Sequence, residues 1–369
     1  MHHNQDILIA FLRAALSADT SARIKADGVD WAGVCALASR EGVLPLLYDG
    51  MMAFAEKGLP LPIEVKMELW GNVKIAEQRF LQQREVIAQL ASFCKRHGIR
   101  MMVLKGFGLS PLYPVPEHRA CGDIDTWFFG EQEKADRLLE GQGIEIDRSH
   151  HHHTVFYIND VMVENHYDFV NQFAHGSSKI VERELKRIAD EEKAWAETIA
   201  VAEGVEVYTM SPNLGALFLL RHTAQHFAAE SVSLRHVIDW ELFVRHNEGK
   251  IDWGRIEEIA RRSGMSDFVR AWREVAHALF EDVTLSETAQ RVWDEILSPA
   301  FAERMPALEE KTLVKRVVHF FRYNSWSFRR WWANRWKNRL VYGNESLVNQ
   351  FWVLLRSHRM DPEEELRSR

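Results

Sequence analysis

Leu104-Lys105-Gly106-Phe107-Gly108 is followed, fifteen residues after its second glycine, by Asp123-Ile124-Asp125. The run Ile99–Leu104 ahead of it is apolar, long enough for a buried strand and too short for a helix. The glycines then mark a turn, and residues 123–129 alternate before becoming aromatic, as a strand does. Side chains at i and i+2 of a strand point to one face, so Asp123 and Asp125 present two carboxylates side by side. Like charges that close are unfavourable without a neutralising cation. Hard divalent ions such as Mg²⁺ bind through one or two carboxylates together with substrate phosphates. A glycine turn after a buried strand lets backbone N–H groups approach a phosphate chain. Strand, glycine turn and Asp-x-Asp strand therefore make a workable triphosphate site.

A third carboxylate lies downstream. Val161–Phe169 alternates so that Glu164, His166 and Asp168 share one face, and Asn159-Asp160 before it is a hairpin turn. Glu164 could hold a metal or deprotonate an attacking hydroxyl. Lys105, at a strand end, could hold the β and γ phosphates as a point charge or be solvated. Arg119 could clamp phosphate or fix an aspartate.

Around this block the chain reads as helix. Residues 4–17, 30–42 (with Asp30 as N-cap) and 63–97 (stopped by Gly98) have helical apolar spacing. Short strands are expected at 144–146, 154–158 and 206–210. Helices are expected at 131–141, 178–195, 212–228, 233–247, 253–264, 266–280 and 285–297. The expected division is 1–97 helical, 98–210 an α/β core, 211–300 helical and 301–369 a basic, Trp-rich extension. The fold class is α+β, a mixed sheet between helical flanks.

These motifs together resemble the uncharacterised nucleotidyltransferase family of the polymerase-β-type superfamily. The resemblance is carried by Leu104–Gly108, Leu112-Tyr113-Pro114, Arg119, Gly122-Asp123-Ile124-Asp125 and Glu164-Asn165-His166. It continues in His222-Thr223-Ala224-Gln225-His226 and Arg235-His236-Val237-Ile238-Asp239, and covers roughly residues 30–245. It implies a mixed sheet packed on helices. It implies Asp123, Asp125 and Glu164 as catalytic, metal-binding carboxylates, with Lys105, Gly106, Gly108 and Arg119 around the nucleotide. It further implies Mg²⁺ (or Mn²⁺) and transfer of a nucleoside monophosphate from an NTP to an acceptor. One departure is local: the superfamily's turn is Gly-Ser or Gly-Gly, whereas Lys105 precedes Gly106 and Phe107 follows it.

Composition bounds the rest. The 369 residues are 46% hydrophobic and 27% charged, ordinary for a globular chain and too apolar for disorder. No stretch approaches the ~18 apolar residues of a membrane span, and no secretory leader is expected from the N-terminus. Cys35, Cys94 and Cys121 form no C-x-x-C pair, which favours a reducing cytoplasm over a disulfide scaffold. Net charge is −7, but residues 311–344 carry nine basic side chains and no Asp or Glu, which leaves −16 on the remainder. In that segment arginines alternate with Trp326, Trp331, Trp332 and Trp336. It could bind nucleic acid, lie on an anionic membrane surface, or pack its aromatics on the helical domain with its basic groups solvated. His222 and His226 read as core histidines, Arg235 and Asp239 as an i,i+4 pair, and His150–His153 as a polar strand edge. Two rivals to the enzyme are a catalytically idle scaffold of the same fold and a nucleic-acid-binding module built on residues 311–344.

Overall fold

The computed structural model describes residues 2–26, 28–150, 152–172, 175–192, 197–229, 231–299, 313–346 and 348–350. Residues 301–312 and 351–369 of the basic extension therefore lie outside the described residues.

Six strands form one mixed sheet: β1 (Met102–Val103), β2 (Ile124–Trp127), β3 (His153–Ile158), β4 (Val161–His166), β5 (Thr198–Ala202) and β6 (Val205–Tyr208). Their order is β3-β4-β2-β1-β6-β5. Strand β2 runs antiparallel to β1 and parallel to β4, and its register places Asp125 opposite Glu164. The β3–β4 hairpin turns at Asn159 and Asp160, both with positive φ (49° and 62°), the two left-handed positions a tight hairpin requires. The expected strand at 144–146 does not form. Only Asp147 bridges to Val155, because Gly141 to Gly143 are spent ending the preceding helix.

The sheet is buried on both faces. On one side lie α4 (Ile63–Arg96) and α5 (Gln132–Glu140). Phe80, Ile87 and Leu90 of α4 and Leu139 of α5 enclose Ile124, Phe128, Phe156 and Val163 there. Each such side chain contributes roughly 1.5–3 kcal/mol on burial. On the other side Met102, Leu104, Trp127 and Phe169 join a larger core. That core includes α1 (His2–Ser17), α2 (Trp31–Arg40), α3 (Leu44–Glu56) and α6 (Gly176–Glu191). It continues through α7 (Pro212–Ala229), α8 (Leu234–His246), α9 (Trp253–Ser263), α10 (Ser266–Phe280) and α11 (Glu287–Leu297). Asp30 caps α2, accepting from the Gly33 N–H at 3.0 Å. Gly98, at φ +66°, lets the chain leave α4 for β1. Among the described residues no helix is long and apolar enough to cross a membrane. All three cysteines are free thiols.

The basic segment forms one long helix, α12 (Leu313–Val341). Part of it packs inward. Trp326 is buried, Trp336 meets Phe227 of α7 edge-on at 5.5 Å, and Arg291 lies 4.0 Å over the Trp336 ring. Lys337 is not solvated: it is buried, with Nζ 2.5 Å from Glu295 Oε1. Phe321, Phe328 and Trp332 are exposed.

Candidate active site

Asp123, Asp125 and Glu164 come together because the β2–β4 register aligns the last two and Asp123 sits two residues before Asp125. Ile124 and Phe128 point into the α4–α5 core, so the alternate residues Asp125 and Trp127 face the opposite side. Asp125 is only 1% exposed, whereas the Asp123 side chain keeps 30% of its surface. Gln83 of α4 donates to the Gly122 carbonyl and so ties down the segment that leads into the pair.

Two cationic groups neutralise the cluster. Lys105 Nζ lies 2.7 Å from Asp125 Oδ2 and 3.7 Å from Asp123 Oδ2. On the far side His166 Nε2 lies 3.1 Å from both Asp125 Oδ1 and Glu164 Oε2. Burial acts to raise the Asp125 carboxyl, but Lys105 and His166 outweigh it and hold it below its ordinary value. Glu164 is held down in the same way, against its burial, chiefly by His166. Burial acts to lower Lys105, and Asp123, Asp125 and Glu164 reverse that and hold it above its usual value. For His166 the same contest, burial against Asp125 and Glu164, ends with its pKa pushed up to about 9. The imidazole is therefore a cation at neutral pH.

The glycines are where the chain must turn tightly. Lys105 is extended, and Gly106 follows at φ +59° to open a 3-10 turn over Gly106–Leu112. A Cβ on Gly106 would lie 3.4 Å from the Asp123 carbonyl oxygen, and one on Gly108 would lie 2.7 Å from the Val103 carbonyl oxygen. Both positions are thus close backbone approaches beside the carboxylates.

A cleft with about 580 Å³ of empty space, solvent at its mouth included, opens in front of this turn. One wall is Lys105, Gly106, Gly122, Asp123 and Asp125; the other is His222 and Thr223 of α7 with Arg235, His236 and Trp240 of α8. Arg119 lines it too, but its guanidinium is committed to Asp239 of α8, with Nε 2.8 Å from Oδ1 and Nη2 2.7 Å from Oδ2. Tyr113 adds its hydroxyl to Asp239 at 2.7 Å. Of the two sequence readings of Arg119, fixing an aspartate is what the geometry displays. The expected Arg235–Asp239 pair is displaced: Asp239 is taken by Arg119 and Tyr113, and Arg235 donates to the Ala120 carbonyl at 3.1 Å. This network ties the loop after the glycine turn to the second helix of the opposite wall.

Two further features were not foreseen. His166 belongs to the cluster, a placement its alternation with Glu164 had made visible. In the run at 150–153, read from the sequence as a polar strand edge, His151 lies outside the described residues and the other three histidines are partly or fully covered. His153 is buried opposite His166 in the hairpin, its Nε2 3.8 Å from Glu164 Oε1, and His152 is half-buried beside it. Burial first, and then neighbouring His166, push both imidazoles down to about 3, so they are neutral. On the opposite wall His222 and His226 stack edge-on at 4.5 Å with His236 close by. Burial lowers His222 well below its usual value and His236 to about 3.

The donor set fits a hard divalent cation. Asp125, Glu164 and His166 offer ligand atoms within 4.8 Å of one another, Asp123 stands outside that group on the far side of the Lys105 ammonium at 3.7 Å, and buried Asp125 Oδ2 has the same ammonium beside it. The comparison with curated proteins gives no match. Residues 27–281 match the model of a known family, extending past the motif-bearing segment through α9 and α10. The chain, matched over well more than half its length, belongs to the family of uncharacterised nucleotidyltransferases.

Proposed function

We propose that this protein is a divalent-metal-dependent enzyme that transfers a nucleoside monophosphate from an NTP to an acceptor hydroxyl or phosphate. The observation that carries the reading is that Asp123 and Asp125 line the cleft beside the glycine turn, with Glu164 next to Asp125 on the neighbouring strand. These three carboxylates would hold Mg²⁺, or Mn²⁺ in its place. Bound there, the metal would supply charge neutralisation at the phosphates and a more acidic acceptor oxygen.

The chain's own groups account for the other needs of the reaction. Gly106, which lines the cleft, would let a triphosphate approach the backbone of the turn, whereas Gly108 serves the close approach to the Val103 carbonyl and its N–H donates to the Lys105 carbonyl at 3.0 Å. Lys105 neutralises the carboxylate cluster and would turn to the β and γ phosphates as negative charge enters the cleft. The acceptor oxygen would attack the α-phosphorus, the bond to the β-phosphate oxygen would break, and pyrophosphate would leave. Glu164, the third carboxylate, would complete the metal site or take the acceptor's proton. His166 fixes the Asp125 and Glu164 oxygens in place, a positioning role. The α7–α8 wall, tied to the site by Arg119–Asp239, would select the nucleotide and acceptor.

Calorimetric titration with NTP and Mg²⁺ tests this directly. Binding is expected in the wild type and at least a tenfold loss in Asp123→Ala. An Asp123→Ala variant that binds NTP and Mg²⁺ as the wild type does would refute the reading.

A further inference from the structure

Next to the carboxylates the fold gathers a second set of donors of different chemistry. His153 opens β3 and pairs across the hairpin with His166, the last residue of β4. Their ring centroids are 5.1 Å apart, and His152 lies 4.3 Å from His153 and 5.6 Å from His166. One nitrogen from each of the three lies within 4.8 Å of the other two. The backbone that carries them is held in place: the Tyr167 and Asp168 N–H groups both donate to the His152 carbonyl, at 3.1 and 3.2 Å. The Tyr167 hydroxyl donates to the His150 carbonyl at 2.8 Å.

Polar satisfaction at this spot is incomplete. The Nδ1 atoms of His152 and His153 are both buried and have no hydrogen-bond partner. A buried polar atom left so is destabilising, and a hairpin of this kind could carry apolar residues instead. His166 differs in a way that suits a ligand. Its Nδ1 faces the Asp168 carbonyl at 3.4 Å, the outer partner that fixes the ring of a metal-bound histidine, and its Nε2, now 3.1 Å from both Asp125 Oδ1 and Glu164 Oε2, is the nitrogen that would give up its proton to a metal. Glu164 Oε1, 3.8 Å from His153 Nε2, supplies an oxygen at the same place.

We propose that His152, His153 and His166 form a second cation site, specific for a borderline transition ion of the Zn²⁺ class, beside the carboxylate site. Imidazole nitrogen suits such ions, whereas Mg²⁺ takes oxygen. Three histidines with one carboxylate or water make a four-coordinate centre with metal–nitrogen distances of about 2.0–2.1 Å. Tetrahedral ligation at that distance needs the nitrogens about 3.4 Å apart, inside the 4.8 Å that now encloses them, so the three rings would turn inward as the ion binds. His166 belongs to both clusters, so occupancy of the histidine site removes the imidazole that bridges Asp125 and Glu164. The proposal stands on the histidines and does not require nucleotidyl transfer.

The test uses the full chain, stripped with a chelator and dialysed against Zn²⁺ in large excess of Mg²⁺, with bound metal read by elemental analysis. One Zn²⁺ per chain is expected to remain. His152→Ala and His153→Ala should each weaken its retention at least tenfold, and Asp123→Asn should leave it within about twofold. Co²⁺ added to the unaltered protein supplies a readout that needs no variant to fold. An intense four-coordinate visible spectrum supports the site, and a weak six-coordinate one overturns it. Zn²⁺ retained equally by the His152→Ala/His153→Ala double variant would show adventitious binding elsewhere and would also overturn it. Loss of nucleotide binding in Asp123→Ala bears only on the proposed function, so the two readings fail separately.

Discussion

Replacing Lys105 by Met removes the ammonium that bridges Asp123 and Asp125, and the outcome can be worked from the geometry. At an effective dielectric of ~20, the 2.7 Å contact with Asp125 is worth about 6 kcal/mol of gross attraction and the 3.7 Å contact with Asp123 about 4.5 kcal/mol. Desolvation of the ions offsets much of this, several kcal/mol per ion. The second contact is further reduced because Asp123 keeps 30% of its side chain in water. The net effect of Lys105→Met is that of breaking a buried pair, about 3–5 kcal/mol. Against a typical total of ~5–15 kcal/mol, that is a large part of the fold's stability. A divalent ion in the vacated position should restore it. At a hundred times its dissociation constant a ligand adds about 2.7 kcal/mol. Urea unfolding of wild type and variant, each with chelator and with Mg²⁺, measures both effects. Without metal the variant should unfold at clearly lower urea, and Mg²⁺ should shift the variant more than the wild type, where the ammonium competes for the same oxygens. Equal stability without metal, or a Mg²⁺ shift no larger in the variant, would refute the assignment of Lys105 to the cation position.

The remaining predictions concern neighbouring groups. Arg119→Met should destabilise by about 3–5 kcal/mol by leaving buried Asp239 without its cation, and Arg119→Lys should rescue little because one ammonium cannot reproduce the two-point contact; thermal unfolding reads both. His166 has its folded pKa raised from 6.5 to about 9, so its stabilisation is fully present below pH 6.5 and is lost as pH rises through 9. In chelator, stability should therefore fall by roughly 3 kcal/mol over that window, and His166→Gln should flatten the slope in urea titrations across pH. Gly108→Ala should cost about 1–3 kcal/mol, since its Cβ meets the Val103 carbonyl oxygen at 2.7 Å; a melting temperature unchanged from wild type would contradict the close approach.

Much of this architecture was legible because its signals are local. Helical periodicity, the Asp30 cap and the Gly98 stop mark α1, α2 and α4, and Asn159-Asp160 marks the hairpin. Asp123, Asp125 and Glu164 were legible from strand alternation plus the family resemblance. What was hidden depends on pairing between distant segments. Strand β5 is one half of a pair with β6, and most of its residues remain exposed or half-buried, so its sequence carries little apolar signal. Helix α3 begins at Leu44-Pro45 directly after a two-residue turn, and its apolar residues are too dense to show a face. Asp239 stands at i,i+4 from Arg235, which suggests a pair along the helix, but no local rule brings Arg119 from 120 residues away. The histidines at 152 and 153 look like a polar edge until β3 lies against β4 and their rings meet His166. Residues 311–344 read as a composition anomaly, and only packing separates buried Trp326 and Lys337 from exposed Phe328 and Trp332.

The central claim is that the carboxylate cluster transfers a nucleoside monophosphate. The most direct measurement incubates the protein with each α-³²P-labelled NTP, Mg²⁺ and a cell lysate, and follows the label, with Asp125→Ala as control. The account predicts label moved to an acceptor, pyrophosphate released in equal amount, and neither product with Asp125→Ala. Labelling that is the same with the variant, or absent with every NTP while the protein binds nucleotide, would contradict it.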